Sequence, residues 1–461
     1  MKKYTQILAD YLSGLRYEDI PPEVVERAKV LTLHTIGAGI SACRTNAGQK
    51  AISMAKTLGS GSLNATLLGD GASVSITNAT MANGALCDML NWEDCSWTGH
   101  PSAGAVPAGL AMAEAHHKSG QDYLTALIGG YDVYQRISSA VQPSPERFLK
   151  GWGLFSWQIF APAMVSGKLL DLDPVKTNQL IGAAALMTPV ATDHINKSFT
   201  DFYHYQHGLT AKSGIECAMI TQNGFYTLMD ALETCGGYYI GVSDQCDWDW
   251  LDRNLGKEFL IMETLIKHWP VNMWVQVPVD MIDLLVRENG LRADDIDLIE
   301  VSPFLPARGE DIPKEGFDSI LRAQFNIPYC VAMYLKGPKP GGAWLDGQYM
   351  TDPVILEMAS HIHSTGPLHS LRDCFVKFQQ RGYPEYTMKL TTKDGHTFET
   401  SMRFPKGHPK NPYTLEESAE LFRGAAGDIL GHDKTEALID LIFNRLEQVK
   451  DLSILKDYVA P

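Results

Sequence analysis

The sequence predicts a mainly α protein with a smaller α+β part. Apolar residues recur at spacings of three and four through the first two thirds of the chain, which is the pattern of packed helices. Strand-like alternation appears only after Pro270, and helical spacing returns at Thr414. We therefore expect a large all-helical domain made of residues 1–268 and 406–461, with residues 269–405 inserted between them as a smaller α+β domain.

Individual elements follow from the same patterns and from their start and stop signals. Pro21 and Pro22 begin a long helix that runs through Ile40. Further helices are expected at 105–117, 122–139, 156–169, 174–187, 209–222, 317–335, 352–362, 415–429 and 434–448. Strands are expected at 296–304, at 373–379 and in a hairpin of 386–392 with 397–404, which turns at Asp394-Gly395.

Length and charge exclude several classes of protein. A chain of 461 residues predicts two or three domains. The net charge of −15 comes with no basic stripe, which argues against nucleic acid and anionic membranes as partners. Apolar runs are too short to span a bilayer. The eight cysteines form no CxxC pair and no apolar signal segment precedes them, so we expect free thiols and a cytoplasmic location.

The stretch from Asn83 to Ser102, NGALCDMLNWEDCSWTGHPS, is the strongest candidate for a functional site. Its first half is small and apolar at helical spacing, so we expect a buried helix whose last turn places polar side chains in an interior cleft. These side chains are Asp88, Asn91, Glu93 and Asp94. Because burying several carboxylates is costly, the pattern indicates chemistry. A capped helix pair with a solvated acidic loop is the structural alternative.

A series of motifs runs nearly from end to end of the chain. They are NGAL…NWEDCSWTGHPS, PAGLAMAE, GGYDVYQRI, GWGLFSWQIFAPAMVSGKLLDLD, HGLTAKSGIECAMITQNGF, LIKHWP and AQFNIPYCVAMYL. In this order and at these separations the chain resembles the MmgE/PrpD family, which includes 2-methylcitrate dehydratase, cis-aconitate decarboxylase and iminodisuccinate epimerase. The resemblance implies an all-helical domain closed by the C-terminal helices, an inserted α+β lid, a homodimer, and chemistry that uses neither a cofactor nor a metal.

Two family residues carry over directly. His100 matches the histidine of the family's HPS motif, and Lys267 in IKHWP matches the lysine of the KxxP motif before the lid. The resemblance therefore implies that both are catalytic. A histidine supplies a base or acid that titrates near neutral pH, and a lysine supplies a compact positive charge for a substrate carboxylate.

Other family positions carry different residues in this chain. The family's aspartate falls on Asn91, the histidine one turn earlier on Asp88, a following threonine on Cys95, a second lysine on Tyr203, and the residue after KxxP on Asn272. We expect Asp88 to replace the missing carboxylate from the same helix face as Asn91, and Tyr203 to act as a hydroxyl donor or acid. Lys197 or Lys212 is the alternative for the missing positive charge.

The remaining candidates are expected to contact the substrate. They are Asn91, Cys95, His204, His207 and Asn272, and the i, i+3 spacing of the two histidines places both on one face of a helix. Two alternatives stay open at these positions: a metal held by His204, His207 and Asp201, and a nucleophilic Cys95.

The function implied is that of a lyase or isomerase that acts on a small carboxylate or polycarboxylate by proton transfer beside a carboxyl group. Dehydration of a hydroxy acid, as in 2-methylcitrate dehydratase, is the first choice, and decarboxylation or epimerisation of a related acid is the alternative. A non-catalytic member of the family that binds a ligand is the alternative of another class.

Overall fold

The computed structural model describes residues 2–96, 99–149, 156–189, 200–303, 312–366 and 383–461. Helices dominate and the strands form small sheets, which confirms the mainly α class with an α+β part. Lys197 and the strand expected at 373–379 lie outside the described residues.

The first part of the chain is helical, as expected. Its α-helices are α1 (Tyr4–Gly14), α2 (Pro22–Ala42), α3 (Asn46–Leu58), α4 (Ile76–Met89), α5 (Ser102–Ala115), α6 (Gly120–Ala140), α7 (Pro145–Leu149), α8 (Phe160–Leu169), α9 (Pro174–Leu186), α10 (Phe202–Gln222) and α11 (Tyr238–Val242). The start of α10 differs from the expected position 209 by seven residues. The first two turns of α10 therefore carry Tyr203, His204 and His207.

The second part alternates helices and strands. Its helices are α12 (Gln276–Asn289), α13 (Ile320–Phe325), α14 (Ile327–Lys336), α15 (Gly347–Met350) and α16 (Pro353–Ser360). Two helices follow, α17 (Leu415–Leu430) and α18 (His432–Asp440), and a π-helical turn at Leu441–Arg445 ends the second one earlier than expected. Asn326 caps α14 and separates it from α13, so the helix expected at 317–335 is two helices.

The strands form three sheets within the described residues. They are β1 (Asn64–Thr66), β2 (Ser73–Ser75), β3 (Asp94–Cys95), β4 (Leu265–Ile266), β5 (Ile296–Ser302), β6 (Ile362–Ser364), β7 (Tyr386–Thr392) and β8 (Thr397–Met402). β1 pairs with β2 and β3 with β4, both antiparallel, while the larger sheet has the order β6-β5-β7-β8. The expected hairpin is confirmed as β7 and β8, with Gly395 at a φ of 87° in the turn.

Two hydrophobic cores stabilise the described parts of the chain. The first joins side chains of α1 to α6 and α8 to α11 with Phe422, Leu438 and Leu446 from the C-terminal segment, and α17 packs against α2. The second lies between the sheet and α12, α14 and α16. Leu321 and Phe325 belong to the first core although α13 lies in the α+β part, so this helix docks onto the helical part. The domain borders at 268/269 and 405/406 stay predictions.

Helices α4 and α10 cross at close range. A Cβ on Gly208 would come within 2.1 Å of the Met81 carbonyl oxygen, and one on Gly84 within 3.0 Å of the Gly208 Cα. Only glycine permits this approach. The crossing places the end of α4 beside the start of α10. No helix of the described residues has the length and hydropathy that a membrane crossing requires.

Candidate active site

The site is built on the turn that follows α4. Asn91 adopts a left-handed backbone conformation with φ of 53°, which asparagine tolerates better than most residues, and the chain then forms the short strand β3. The expectation that the last turn of the helix carries all four polar side chains is wrong, because only Asp88 lies on α4. Asp88 and Asn91 therefore do not share a helix face.

Strand β4 brings Lys267 next to this turn. Its backbone N–H donates to the Glu93 carbonyl oxygen at 3.3 Å. Its ammonium group donates to Asn91 Oδ1 at 2.7 Å and to Glu93 Oε1. All three side chains are fully buried. Because removing one partner leaves an uncompensated buried charge at a cost of about 3–5 kcal/mol, these residues depend on one another.

Glu93 also orients His100. The imidazole Nδ1 lies 2.8 Å from Glu93 Oε1 and 2.9 Å from the Asp94 carbonyl oxygen. Both oxygens are acceptors, so Nδ1 carries a hydrogen and Nε2 of the neutral ring accepts. The Tyr203 hydroxyl lies 2.9 Å from Nε2 and donates to it. Glu93, His100 and Tyr203 thus form one chain of hydrogen bonds.

A second chain of hydrogen bonds begins at Asp88. His204 Nδ1 lies 2.6 Å from Asp88 Oδ2, and His204 Nε2 lies 3.1 Å from Gln324 Oε1. The Gln324 amide is oriented by its nitrogen, which donates to the Met89 carbonyl oxygen at 2.9 Å. His204 Nε2 is therefore a donor, and one hydrogen is shared between Asp88 and His204 Nδ1.

Burial and charge set the protonation of these carboxyl groups. Burial alone would raise the pKa of Glu93, but the Lys267 ammonium and the hydrogen bonds from Lys267 and His100 outweigh it and hold that pKa at about 2. Burial, together with the charge of Glu93, raises the pKa of Asp88 well above its usual value. Burial lowers the pKa of His204 to about 4. Asp88 and His204 are thus driven towards a neutral acid and a neutral imidazole, while Glu93 is a carboxylate.

His207 lies between the two chains. Its ring centroid is 5.5 Å from that of His100 and 5.6 Å from that of Tyr203, and its Nε2 is 3.4 Å from Asp88 Oδ1. Burial, together with the neighbouring His100, lowers the pKa of His207 well below its usual value. The structure therefore brings seven of the nine predicted site residues into one cluster: Asp88, Asn91, His100, Tyr203, His204, His207 and Lys267.

Comparison with known proteins identifies the family. Residues 6–251 match the MmgE/PrpD N-terminal domain, and residues 269–445 match the MmgE/PrpD C-terminal domain. The chain belongs to the MmgE/PrpD family. It is 24% identical to human cis-aconitate decarboxylase over 99% of this chain and 94% of the human protein. It is 23% identical to the mouse enzyme of that name, over 99% and 93%, and 22% identical to the one from Aspergillus terreus, over 98% and 94%.

Cys95 and Asn272 lie at the edge of the MmgE/PrpD site. Cys95 Sγ is 3.4 Å from Met273 Sδ, and burial raises the pKa of the thiol, which opposes a nucleophilic thiolate. Asn272 donates its backbone N–H to the Gln324 carbonyl oxygen at 3.0 Å. Lys212 lies 3.7 Å from Glu216 on the same helix, at a partly exposed position. The roles of Cys95 and Asn272 stay predictions.

Two site residues were missing from the sequence-based set of catalytic and binding residues. Glu93 was counted among the buried acids but given no role, although it contacts both His100 and Lys267. Gln324, which lies in the motif AQFNIPY, was also assigned no role from the sequence. The signal for Glu93 was its place in the motif: in NWED it follows Asn91 by two residues.

Three site side chains have the spacing of a metal site. Among the described residues, Asp88, Glu93 and His100 each offer a donor atom within 4.8 Å of the others. The Lys267 ammonium already bonds Glu93 and supplies positive charge there. In the alternative metal site of His204, His207 and Asp201, both ring nitrogens of His204 have partners in the protein: Nδ1 contacts Asp88 and Nε2 contacts Gln324. The expectation of metal-free chemistry stays a prediction.

Proposed function

We propose that this protein is a cofactor-independent lyase or isomerase that transfers a proton beside the carboxyl group of a small acid, with dehydration of a hydroxy acid as its reaction. Dehydration needs a base at the carbon and an acid at the departing hydroxyl group. The observation that carries the proposal is that the site holds two separate hydrogen-bonded proton carriers that meet at His207.

The chain of Glu93, His100 and Tyr203 is suited to the base. The Tyr203 oxygen takes the proton from the substrate carbon while its own proton passes to His100 Nε2. The imidazolium that forms is stabilised by the Glu93 carboxylate 2.8 Å from Nδ1. Proton transfer of this kind typically contributes about 10²–10⁴-fold to the rate.

The pair of Asp88 and His204 is suited to the acid. Burial raises the pKa of Asp88 well above its usual value, which favours the protonated form of its carboxyl group. Donation of that proton to the hydroxyl group of the substrate breaks the carbon–oxygen bond and releases water. The electron pair left at the deprotonated carbon forms the double bond, and proton exchange with solvent restores both chains.

Lys267 and Asn91 are suited to hold the substrate carboxylate. An ammonium group and an amide beside that carboxylate stabilise the negative charge that moves onto it when the neighbouring carbon loses its proton. Both groups contact Glu93 or each other already, which holds them in place before the substrate arrives.

Decarboxylation is the second candidate, because the relatives are named for it. In that reaction carbon dioxide leaves, and one acid protonates the carbon, so the second proton carrier has no required task. Epimerisation of a related acid uses the base and the acid on opposite faces of one carbon. A non-catalytic member that binds an acid without turnover is the alternative from another class.

Exchange of hydrogen with solvent tests the proposal. The wild-type protein is incubated in deuterated water with a panel of hydroxy acids and unsaturated acids, and NMR records deuterium at carbon and any loss of water or carbon dioxide. We expect exchange beside a carboxyl group, its loss in His100→Ala, and its retention in the exposed control His117→Ala. No exchange with any acid, or equal exchange in His100→Ala, contradicts the proposal.

A further inference from the structure

The balance of buried charges restricts the substrate. Within the described residues, the buried lysine and arginine side chains are Arg27, Arg136 and Lys267. Arg136 bonds Asp132 at 2.8 Å and the Arg253 carbonyl oxygen at 2.7 Å. Arg27 donates to the Thr264 carbonyl oxygen. These two guanidinium groups are held by partners of their own, so Lys267 is the buried cation that the described residues place at the site.

Buried acidic side chains already compensate the positive charge of Lys267. Glu93 bonds Lys267 directly, and Asp94 accepts hydrogen bonds from the Tyr131 hydroxyl and, at 3.0 Å, from the Ser102 backbone N–H. Asp88, Glu93 and Asp94 are all fully buried. Each further carboxylate of a substrate would add a negative charge to an interior that already holds Glu93, where like charges are strongly unfavourable.

One place in the cluster does suit a carboxylate. The Asn91 amide nitrogen is buried and makes no hydrogen bond with any residue that the structure describes, while Asn91 Oδ1 accepts from Lys267. The Lys267 ammonium has three donors, of which two reach Asn91 and Glu93. The amide nitrogen and the third ammonium hydrogen together provide donors for one carboxylate. An aspartate at position 91 would provide none.

A second group of residues in the cluster suits a neutral polar group. It is formed by Tyr203, His204, His207 and Asp88. The buried Oδ1 of Asp88 makes no hydrogen bond with the described residues and lies 3.4 Å from His207 Nε2. A hydroxyl group both donates and accepts, so it matches an acid and imidazoles held in their neutral forms. Among the described residues, no buried lysine or arginine other than Lys267 is placed at the site to compensate a second carboxylate.

We propose that the substrate is a hydroxy acid with a single carboxylate, bound by Asn91 and Lys267, and with its hydroxyl group at Asp88, His204 and His207. This rests on the proposed function, and it sets the protein apart from relatives named for a tricarboxylate. Asn91 and Tyr203 are the residues that determine the selectivity: Asn91 as the carboxylate donor, and Tyr203 as the neutral residue where the family resemblance places a lysine.

Binding of a graded series of acids tests this inference. 3-Hydroxybutyrate, malate and citrate share a hydroxyl group β to a carboxylate and carry one, two and three carboxylates. Dissociation constants are measured at pH 7 by ligand-detected NMR titration, which needs no turnover. We expect affinity to fall along the series, with citrate at least about tenfold weaker than 3-hydroxybutyrate. Citrate binding as tightly as, or more tightly than, 3-hydroxybutyrate overturns the inference.

Variants at Tyr203 and Asn91 test whether these two residues determine the preference among the acids. Tyr203→Lys adds a positive charge and is expected to strengthen citrate binding about tenfold or more, while the uncharged Tyr203→Phe keeps the wild-type order. Asn91→Asp removes the amide donor and is expected to weaken 3-hydroxybutyrate binding. Unchanged citrate binding in a folded Tyr203→Lys protein contradicts the inference.

The two proposals fail in different ways. Selective binding of 3-hydroxybutyrate without proton exchange would contradict the proposed function alone. Proton exchange on citrate together with tight citrate binding would contradict the inference alone.

Discussion

Glu93 is the residue on which both His100 and Lys267 depend. One carboxylate oxygen lies 2.8 Å from His100 Nδ1 and also accepts from the Lys267 ammonium. It therefore fixes the tautomer of the base and compensates a fully buried positive charge. A residue with both tasks is expected to matter for stability and for catalysis.

Replacing Glu93 by glutamine is expected to destabilise the protein by about 3–5 kcal/mol, because Lys267 keeps its charge without a buried partner. Urea unfolding monitored by circular dichroism measures this change. The matched control is Glu417→Gln, which removes an exposed ion pair with Lys406 and is expected to cost less than about 1 kcal/mol. Equal losses in the two variants would contradict the role of Glu93.

His34 makes stability depend on pH next to the same turn. It contacts the Trp92 carbonyl oxygen, and burial lowers its pKa to about 4 from the ordinary 6.5. The unfolded chain binds this proton more readily, so the stability that His34 contributes is present above pH 6.5 and is lost as the pH falls towards 4. We expect wild type to lose on the order of 2 kcal/mol more than His34→Gln between pH 7 and pH 5. Urea unfolding at both pH values measures this difference. An equal change in the free energy of unfolding of the two proteins between pH 7 and pH 5 would contradict the role of His34.

Sequence reasoning located these residues but not their partners. His100 and Lys267 followed from motifs, whereas Asp88 was expected to replace the family carboxylate. The side chain that meets both of them belongs to Glu93 instead. The difference arises because the left-handed conformation of Asn91 redirects the chain after α4, and short polar sequences do not determine such a turn.

At the scale of elements, the crossing of α4 and α10 joins the two proton carriers. Gly84 and Gly208 let the helices approach, which brings Asp88 from one helix within 2.6 Å of His204 on the other. Sequence patterns predicted α4 and most of α10. They missed the first two turns of α10 because YHYQHG is rich in polar rings that bury only when the other helix is present.

Gly208→Ala is expected to destabilise the protein by about 1–3 kcal/mol and to reduce solvent exchange on the substrate, since its Cβ would meet the Met81 carbonyl oxygen at 2.1 Å. Thermal unfolding and the NMR exchange assay measure the two effects. The control is Gly424→Ala in α17, where a Cβ meets nothing within 4 Å and helix propensity favours alanine by up to about 1 kcal/mol. A Gly208→Ala protein as stable and active as wild type would show that the close crossing is not required.

At the scale of the molecule, the α+β part closes over the site through a few polar contacts. The side-chain amide of Gln324, on α13, accepts from His204 and donates to the Met89 carbonyl oxygen. The backbone carbonyl oxygen of Gln324 accepts from the Asn272 backbone N–H. The mainly α class could be predicted from sequence because it depends on long periodic segments. The contacts of Gln324 with His204 and Met89 could not, since they join residues more than 100 positions apart.

We propose that the protein is a homodimer, as the family resemblance implies. Ile220 in the last turn of α10 is 45% exposed, and Phe225 and Tyr226 just after this helix are 66% and 81% exposed, which is characteristic of an interaction surface. Sedimentation equilibrium is expected to give about twice the chain mass of 50.9 kDa. Combining Phe225→Ser with Tyr226→Ser is expected to weaken the dimer, whereas Val354→Ser, at an exposed position of α16, is not. A monomeric wild type would contradict the proposal.

The most direct test of the central claim compares wild type with Tyr203→Phe in deuterated water. The claim is that the Tyr203 hydroxyl passes a proton between the substrate carbon and His100, to which it is hydrogen-bonded at 2.9 Å. With a saturating acid that wild type accepts, we expect the exchange rate to fall at least about 100-fold while binding persists. Exchange in Tyr203→Phe within about twofold of wild type would contradict the account.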